Sequence, residues 1–264
     1  MNSPGRRRIT VVLLDKPQSR ELLSLGATIA SLLQVEIEAV FVEDDALYRL
    51  TGLPFLRELR VDSRNEARLD PARLTQEWRA IAKQARKALE DSAKRAGLSW
   101  SFRVWRGEYD SDLKQLASDS ELLLMGSQGI HAARRFSIHS RQTTPVSQPL
   151  KLGVILDTGI SRQKLLKTIT ELLQKPEIRL ILFLFPDGDP SWERALQNYL
   201  TEHDHDNHIT VVPLTDSKPA TLATQLKRAA CDLLMISEQS SLLQGPTIRR
   251  LLEGLPYPTV LVRQ

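Results

Sequence analysis

The sequence predicts an α/β protein of two tandem doubly wound domains, each on a parallel sheet. Three observations predict it. Short apolar runs alternate along the chain with stretches of helical period, the pattern that right-handed βαβ units produce. The chain also repeats itself. Residues 9–14 form an apolar run ending at Asp15, residues 152–156 another ending at Asp157, and matching positions lie 142 apart. That is a domain-sized spacing, not a solenoid period of roughly 20–50 residues. Third, 264 residues with 41% apolar and 26% charged content suit two ordinary globular units of roughly 100–200 residues each.

The elements follow in order. Residues 9–14 read as a strand, and the segment opened by Ser19-Arg20 as a helix, with Leu22, Leu23, Ala27, Ile29, Ala30 and Leu33 at helical spacing. Residues 35–42 form the next strand. Residues 74–96 are rich in Ala, Lys, Arg and Gln and stop at Gly97, a natural helix end. Residues 100–105 alternate as a strand, with Trp100 and Trp105 expected on one side of it as core. A helix over 111–117 and a strand over 121–125 complete the first copy. The second copy has strands over 152–156, 179–185, 209–214, 232–236 and 259–262. Its helices open at Ser161-Arg162 and cover 192–200 and 221–230. The division is residues 1–148 and 149–264, joined near Gln148-Pro149. Only the first copy carries an insertion, over about 43–75, where a short helix and a mobile loop are expected at the carboxyl end of a strand.

Charge and cysteine narrow the function classes. The net charge is +4; residues 1–150 hold 23 basic and 19 acidic residues, and the rest hold 13 of each. Apart from residues 6–8 and Arg134-Arg135 the excess reads as thinly spread, so no nucleic-acid footprint is expected. No apolar run approaches the roughly 18 residues needed to span a bilayer, and residues 9–14 are too short for a signal-peptide core. Cys231, the single cysteine, allows neither an internal disulfide nor a cysteine zinc site, so a cytoplasmic location is expected.

Two features could hold a ligand. Met125-Gly126-Ser127-Gln128-Gly129 follows a buried strand; its glycines permit a tight turn, and its N–H groups could cradle phosphate. The bare pattern also fits a strand exit with nothing bound. Asp15 ends the first strand. If the fourth strand lies beside the first, Asp15 and the glycine loop border one crevice of the kind that binds ligands in open α/β sheets. Its carboxylate could accept from an adenine amino group or a ribose hydroxyl, or simply cap the helix after Ser19; Asp157 is read in the same place of the second copy.

These residues resemble the universal stress protein family in its tandem form. The likeness rests on the strand ending in Asp15, the helix after Ser19, Phe41-Val42-Glu43-Asp44, Gly107 and Leu124-Met125-Gly126-Ser127-Gln128-Gly129. The resemblance implies Rossmann-like folds of the adenine nucleotide alpha hydrolase type and a regulatory, non-enzymatic stress protein. It implies that ATP or AMP binds in the first domain. Asp15 and the Val42 backbone would take the base and ribose end, Met125 and Gly126 would border ribose and phosphates, and Ser127, Gln128, Gly129 and Ser140 would bind phosphates. In nucleotide-binding members a third glycine precedes the Ser140 position; here it is His139. Arg134 and Arg135 could pair with phosphate instead, or form a solvated helix face. Pro145-Val146 would be a remnant of a final strand, unless residues 131–139 are the last helix, in which case the Ser140 role falls.

The second copy reads as degenerate. Ile236 and Gln239 are taken to replace the loop glycines, and Glu238 would repel phosphate. This copy would pair with the first or with another chain, as family members pair through their edge strand. A protein partner or homodimer is therefore expected. The run His203, Asp204, His205, Asp206, His208 is a compositional hint of metal binding but reads as a polar loop, so no metal is expected. Cys231 reads as core, and no catalytic motif is recognisable. The rival readings are an interaction module of the same fold without nucleotide and, third, a slow ATPase.

Overall fold

The computed structural model describes residues 7–14, 19–53, 57–59, 66–68, 70–107, 120–126, 149–156, 162–185, 190–203, 208–215, 219–240, 242 and 257–263. The first copy contributes β1 (Arg8–Leu13), α1 (Ser19–Leu33), β2 (Glu36–Asp44), α2 (Asp45–Leu50), β3 (Arg57–Leu59), β4 (Glu66–Arg68), α3 (Pro71–Ala96), β5 (Trp100–Gly107) and β6 (Leu122–Met125). The second contributes β7 (Leu150–Leu156), α4 (Arg162–Leu173), β8 (Ile178–Leu184), α5 (Pro190–His203), β9 (Ile209–Pro213), α6 (Pro219–Ala229), β10 (Leu233–Ser237) and β11 (Thr259–Val262).

Nine of these strands form one sheet in the order β5-β2-β1-β6-β11-β10-β7-β8-β9. The first four are mutually parallel, and so are the last five. Between them lies one antiparallel seam, where Leu122, Leu123, Leu124 and Met125 of β6 pair with Val262, Leu261, Val260 and Thr259 of β11. The expected tandem α/β fold is therefore present, with its two sheets fused. Among the described residues the first half-sheet has no fifth strand of its own, and β11 occupies that edge. Pro145, Val146 and the helix expected over 111–117 lie outside the described residues.

Helices cover both faces. Ile9, Val11 and Leu13 pack under α1 and α3 in the same core that Leu152, Val154 and Leu156 form with Leu165, Ile169 and Leu172 of α4. The opposite face gathers Val12, Val40, Val42, Leu123 and Met125 with Leu222 and Leu226 of α6. At the base of the seam Arg7 donates to Glu121 and to Glu171 of α4, both at 2.7 Å. The bond to Glu121 is the main reason its guanidinium holds its proton above the ordinary value. The Arg263 N–H donates to the Glu121 carbonyl at 2.9 Å.

This shared core corrects the repeat spacing. A shift of one residue along a strand turns every side chain to the other face. The expected offset of 142 sets Ile9, fully buried, against exposed Lys151. Matching faces sets Ile9 against Leu152 and Val11 against Val154, an offset of 143, which also aligns the starts of α1 and α4. Carried along the sequence, it places Thr158 rather than Asp157 opposite Asp15; all three lie outside the described residues.

Local chemistry explains the elements. Asp70 caps α3 by accepting the Ala72 N–H at 3.0 Å, with Pro71 in the first turn, and Gly97 ends the helix in the left-handed region at φ 65°. The helix starts three residues ahead of the expected Leu74 for that reason. The insertion carries the expected short helix, α2, capped by Asp44. It also holds an unanticipated antiparallel pair, β3 with β4. Trp100 and Trp105 are five residues apart, an odd spacing, and lie on opposite faces: Trp100 packs on the α1/α3 core, Trp105 on the other cluster.

Close packing of α1 depends on Gly26. A β-carbon there would sit 2.6 Å from Cγ2 of Val11, a short, stiff, fully buried side chain. Gly26→Ala is expected to destabilise the fold by about 1–3 kcal/mol through overpacking, read as a lower urea midpoint at unchanged m-value.

Candidate functional site

The strand order reverses at β1: the chain steps to β2 on one side and later returns to β6 on the other. Open α/β sheets bind ligands beyond the carboxyl ends of the strands at such a point. Val12 pairs with Met125, so β1 and β6 end side by side. The chain therefore leaves toward Asp15 from one strand and toward the glycine loop from its neighbour, the adjacency expected of a common crevice. Asp15, Ser127, Gln128, Gly129, Arg134, Arg135, His139 and Ser140 themselves lie outside the described residues.

Val42 sits two strands from Met125, a span of about 10 Å. The Glu36 N–H donates to the Arg7 carbonyl, whereas the Ile37 N–H donates to Ser99 on the β5 side. By this alternation even-numbered β2 residues turn their backbone groups toward β1. The β1–β2 ladder ends at the pair Leu13–Phe41, so the Val42 carbonyl lies past its last described rung. The side chains of Val42 and Met125 are buried with Val12 and Leu123, forming an apolar floor. Trp105, paired in register with Val42, extends this floor, and its indole lies over Gly107 where any β-carbon would collide with it. Gly107, two residues after Trp105, is the mark of this position in the sequence.

Gly126 is exposed and has no positive φ; a β-carbon there would meet Leu22 Cδ2 at an ordinary 3.5 Å. The backbone at Gly126 does not itself require glycine; the rest of the expected turn, residues 127–129, lies outside the described residues.

The two ends of the crevice differ in charge. β2 runs out through Glu43, Asp44 and Asp45. Glu43 is held by Arg106 through Nη2 at 2.8 Å and Nε at 3.1 Å, and that guanidinium lies 5.0 Å over the Tyr48 ring. The Asp44 carboxylate accepts the Ala46 N–H at 2.9 Å. From Leu122 through Gly129 the β6 side carries no charged residue in sequence. An anionic group is therefore favoured at the β6 end and disfavoured at the β2 end.

Below the crevice, toward the amino ends of the strands, lies a buried polar cluster. Thr10 donates to Glu38 at 3.1 Å, which leaves Ser120 to donate to the Thr10 hydroxyl. Arg103 lies 3.3 Å and Arg8 3.9 Å from the same carboxylate. Neighbouring strands in the second half place Gly153 beside Ile181 at the matching rung, an apolar replacement.

The loop of the second half is corrected by register. Ile9 pairs with Leu122 and its counterpart Leu152 pairs with Leu233. Ser237 thus stands at the Gly126 position and Ser240 matches Gly129, not the expected Ile236 and Gln239. This loop spends its donors on itself. Glu238 N–H donates to the Val262 carbonyl, Gln239 N–H to Ser237 Oγ, Ser240 N–H to the Ser237 carbonyl and Leu242 N–H to Ser240 Oγ. The Glu238 carboxylate, expected to repel phosphate, accepts from Arg263 Nε at 2.6 Å. Those four N–H groups are already paired, so this loop is a poor phosphate cradle.

Other candidates resolve simply. A groove of about 330 Å³ between α1 and α3, lined by Ser24, Thr28, Ser31, Ser92 and Arg95, lies on the helical flank and not at the strand ends. In the His/Asp run, residues 204–207 lie outside the described residues. Nδ1 of His208 accepts from Arg179 at 2.8 Å, and a guanidinium so close disfavours a dication. Among the described residues no three metal-ligating side chains come together. No described helix is long and apolar enough to cross a membrane.

The architecture defines a class: tandem α/β halves, the first with its switch point at the adjoining ends of β1 and β6. No family model matches the sequence, and no curated protein matches it. The fold is that of a solved universal stress protein from Archaeoglobus fulgidus DSM 4304, at 13% identity and a TM-score of 0.54 over 97% of this chain and 96% of that chain. A protein of unknown function from Pseudomonas aeruginosa PAO1 matches at 12% identity and a TM-score of 0.48, over 98% of this chain and 92% of that one. The universal-stress-type fold expected from the motifs is thus present across nearly the whole chain.

Cys231 is buried against Gly153, and burial first, then Asp232, pushes its thiol up to about 12. At pH 8 it is protonated and shielded. A thiol-reactive dye should label the folded protein negligibly over an hour and the urea-unfolded protein completely; fast labelling of the folded form would refute this placement.

Proposed function

We propose that this protein is a regulator of the universal stress type that binds an adenine nucleotide, ATP or AMP, in the crevice of its first half and is not an enzyme. The observation that carries this reading is the adjacency of the β1 and β6 ends, with an apolar floor between Val42 and Met125 and an exposed, uncharged strand exit at Gly126. A purine would lie on that floor toward the Val42 carbonyl, with its phosphates at the β6 end, away from Glu43 and Asp44. Asp15 would hold the base or ribose, and Ser127, Gln128, Gly129 and Ser140 the phosphates. The occupied donors of the Ser237–Ser240 loop support confining this role to the first half. They equally favour the second reading, an interaction module that uses the same fold without nucleotide. A slow ATPase ranks third.

Titration with a fluorescent ATP analogue separates these readings. Wild type should bind at micromolar to millimolar concentration. Gly126→Asp, which the exposed and unstrained site accommodates, should weaken binding about tenfold or more by setting a carboxylate beside phosphate. No detectable wild-type binding up to millimolar nucleotide removes the proposal and leaves the interaction module. Single-turnover phosphate release should not exceed the buffer rate; a clear excess would promote the ATPase.

A further inference from the structure

The surplus charge of this chain is concentrated on one helix. α3 holds seven basic and three acidic residues, a surplus of four, which equals the net charge of the whole chain. From Trp78 to Leu89, just over three turns, it contains no Asp or Glu. Its apolar side, through Trp78, Ala82, Ala85 and Leu89, is spent on the sheet. Arg79, Lys83, Arg86 and Lys87 are all exposed. Their spacing of i, i+4, i+7 and i+8 puts them in one stripe about 12 Å long.

The ends of the helix are neutralised and its middle is not. Arg73 pairs with Glu77 at 2.9 Å, and Lys94 with Glu90 at 2.7 Å. Among the described residues, none of the four central cations has a carboxylate within ion-pair distance. Glu90 feels Arg86 and Lys87 but accepts its hydrogen bond from Lys94. Like charges three and four residues apart repel, so the stripe weakens the helix that bears it. A surface of no function would gain by scattering these charges.

We infer that the stripe on α3 is a docking surface for an acidic segment of a protein partner, one carrying carboxylates at matching helical spacing. Charge complementarity names the chemistry, and extent selects among polyanions. A nucleic acid would need a basic surface that continues along its backbone, whereas on α3 the stripe is bounded at both ends by the Arg73–Glu77 and Lys94–Glu90 ion pairs. A membrane-surface helix would turn apolar residues to the lipid, and those of α3 are buried. A partner helix of about three turns matches the stripe in length. The inference shares with the proposed function only the idea of a protein partner, and the two fail separately, since nucleotide titration reads the crevice and not α3.

The test is fluorescence anisotropy of the full chain with a labelled three-turn helical peptide bearing Glu at i, i+4, i+7 and i+8, against the same peptide with Gln. The Glu peptide should bind and the Gln peptide should not. Binding should weaken about tenfold in Arg79→Gln/Lys83→Gln/Arg86→Gln/Lys87→Gln, and similarly when salt is raised from 50 to 200 mM. Arg79→Lys/Arg86→Lys should bind like wild type, and the Gln variant should melt no lower than wild type. Absent binding of the Glu peptide to wild type, equal binding to the Gln variant, or tighter binding of a 20-base-pair duplex or of phosphatidylserine vesicles at the same salt would overturn the inference.

Discussion

The rest of the molecule depends on the antiparallel pairing of β6 with β11. Each is a four-residue strand buried on both faces, and neither could stand at a sheet edge without exposing a row of unpaired backbone groups beside leucines and valines. Their pairing aligns the two half-sheets so that α1 and α4 face the same core, which Arg7 ties by bonding across the halves to Glu171. Because each half is internally parallel and the seam is antiparallel, the carboxyl ends of the two half-sheets point in opposite directions. The first-half crevice and the Ser237–Ser240 loop therefore open at opposite ends of the sheet, and one ligand could not touch both.

The halves share a frame and differ in what fills it. In the first, the face below the crevice keeps a buried carboxylate and two buried hydroxyls around Glu38, with the partly exposed guanidinium groups of Arg8 and Arg103 beside them. Such a cluster is costly unless its members are paired, and it fixes side chains in place. In the second, Gly153, Ile181, Phe183 and Cys231 pack apolar matter into the corresponding space. One half retains polar order around an open strand end, and the other has closed its loop with its own hydrogen bonds.

Much of this was legible in the sequence. The strand at 259–262 is legible to the residue, because a β-branched threonine and three apolar residues after Pro258 leave little choice. The ends of α3 were marked by Asp70-Pro71 and Gly97, although the acidic cap was passed over for the first leucine. β3 and β4 are not legible in the sequence because three-residue strands, Arg-Glu-Leu and Glu-Ala-Arg, are too short to carry a periodicity. The repeat was found but set one residue out, since apolar runs buried on both faces do not show which side chain points where. Only pairing partners could show that Ser237, not Ile236, stands at the Gly126 position. The basic stripe does not show in the net charge of the first half, where acids elsewhere dilute it; it shows only around one helix.

The seam also orders events in time. Leu124 finds its partner Val260 only 136 residues later along the chain. At about 5–20 residues per second, β6 waits roughly 7 to 27 seconds during synthesis for its neighbour. Throughout that interval β1, β2, α1, α3 and β5 can assemble from near contacts, while the edge of β6 stays open to whatever strand is at hand. The last rung of this sheet is thus a kinetic commitment as well as a structural one: the nascent first half must be soluble enough to endure an unfinished edge until the second half delivers β11.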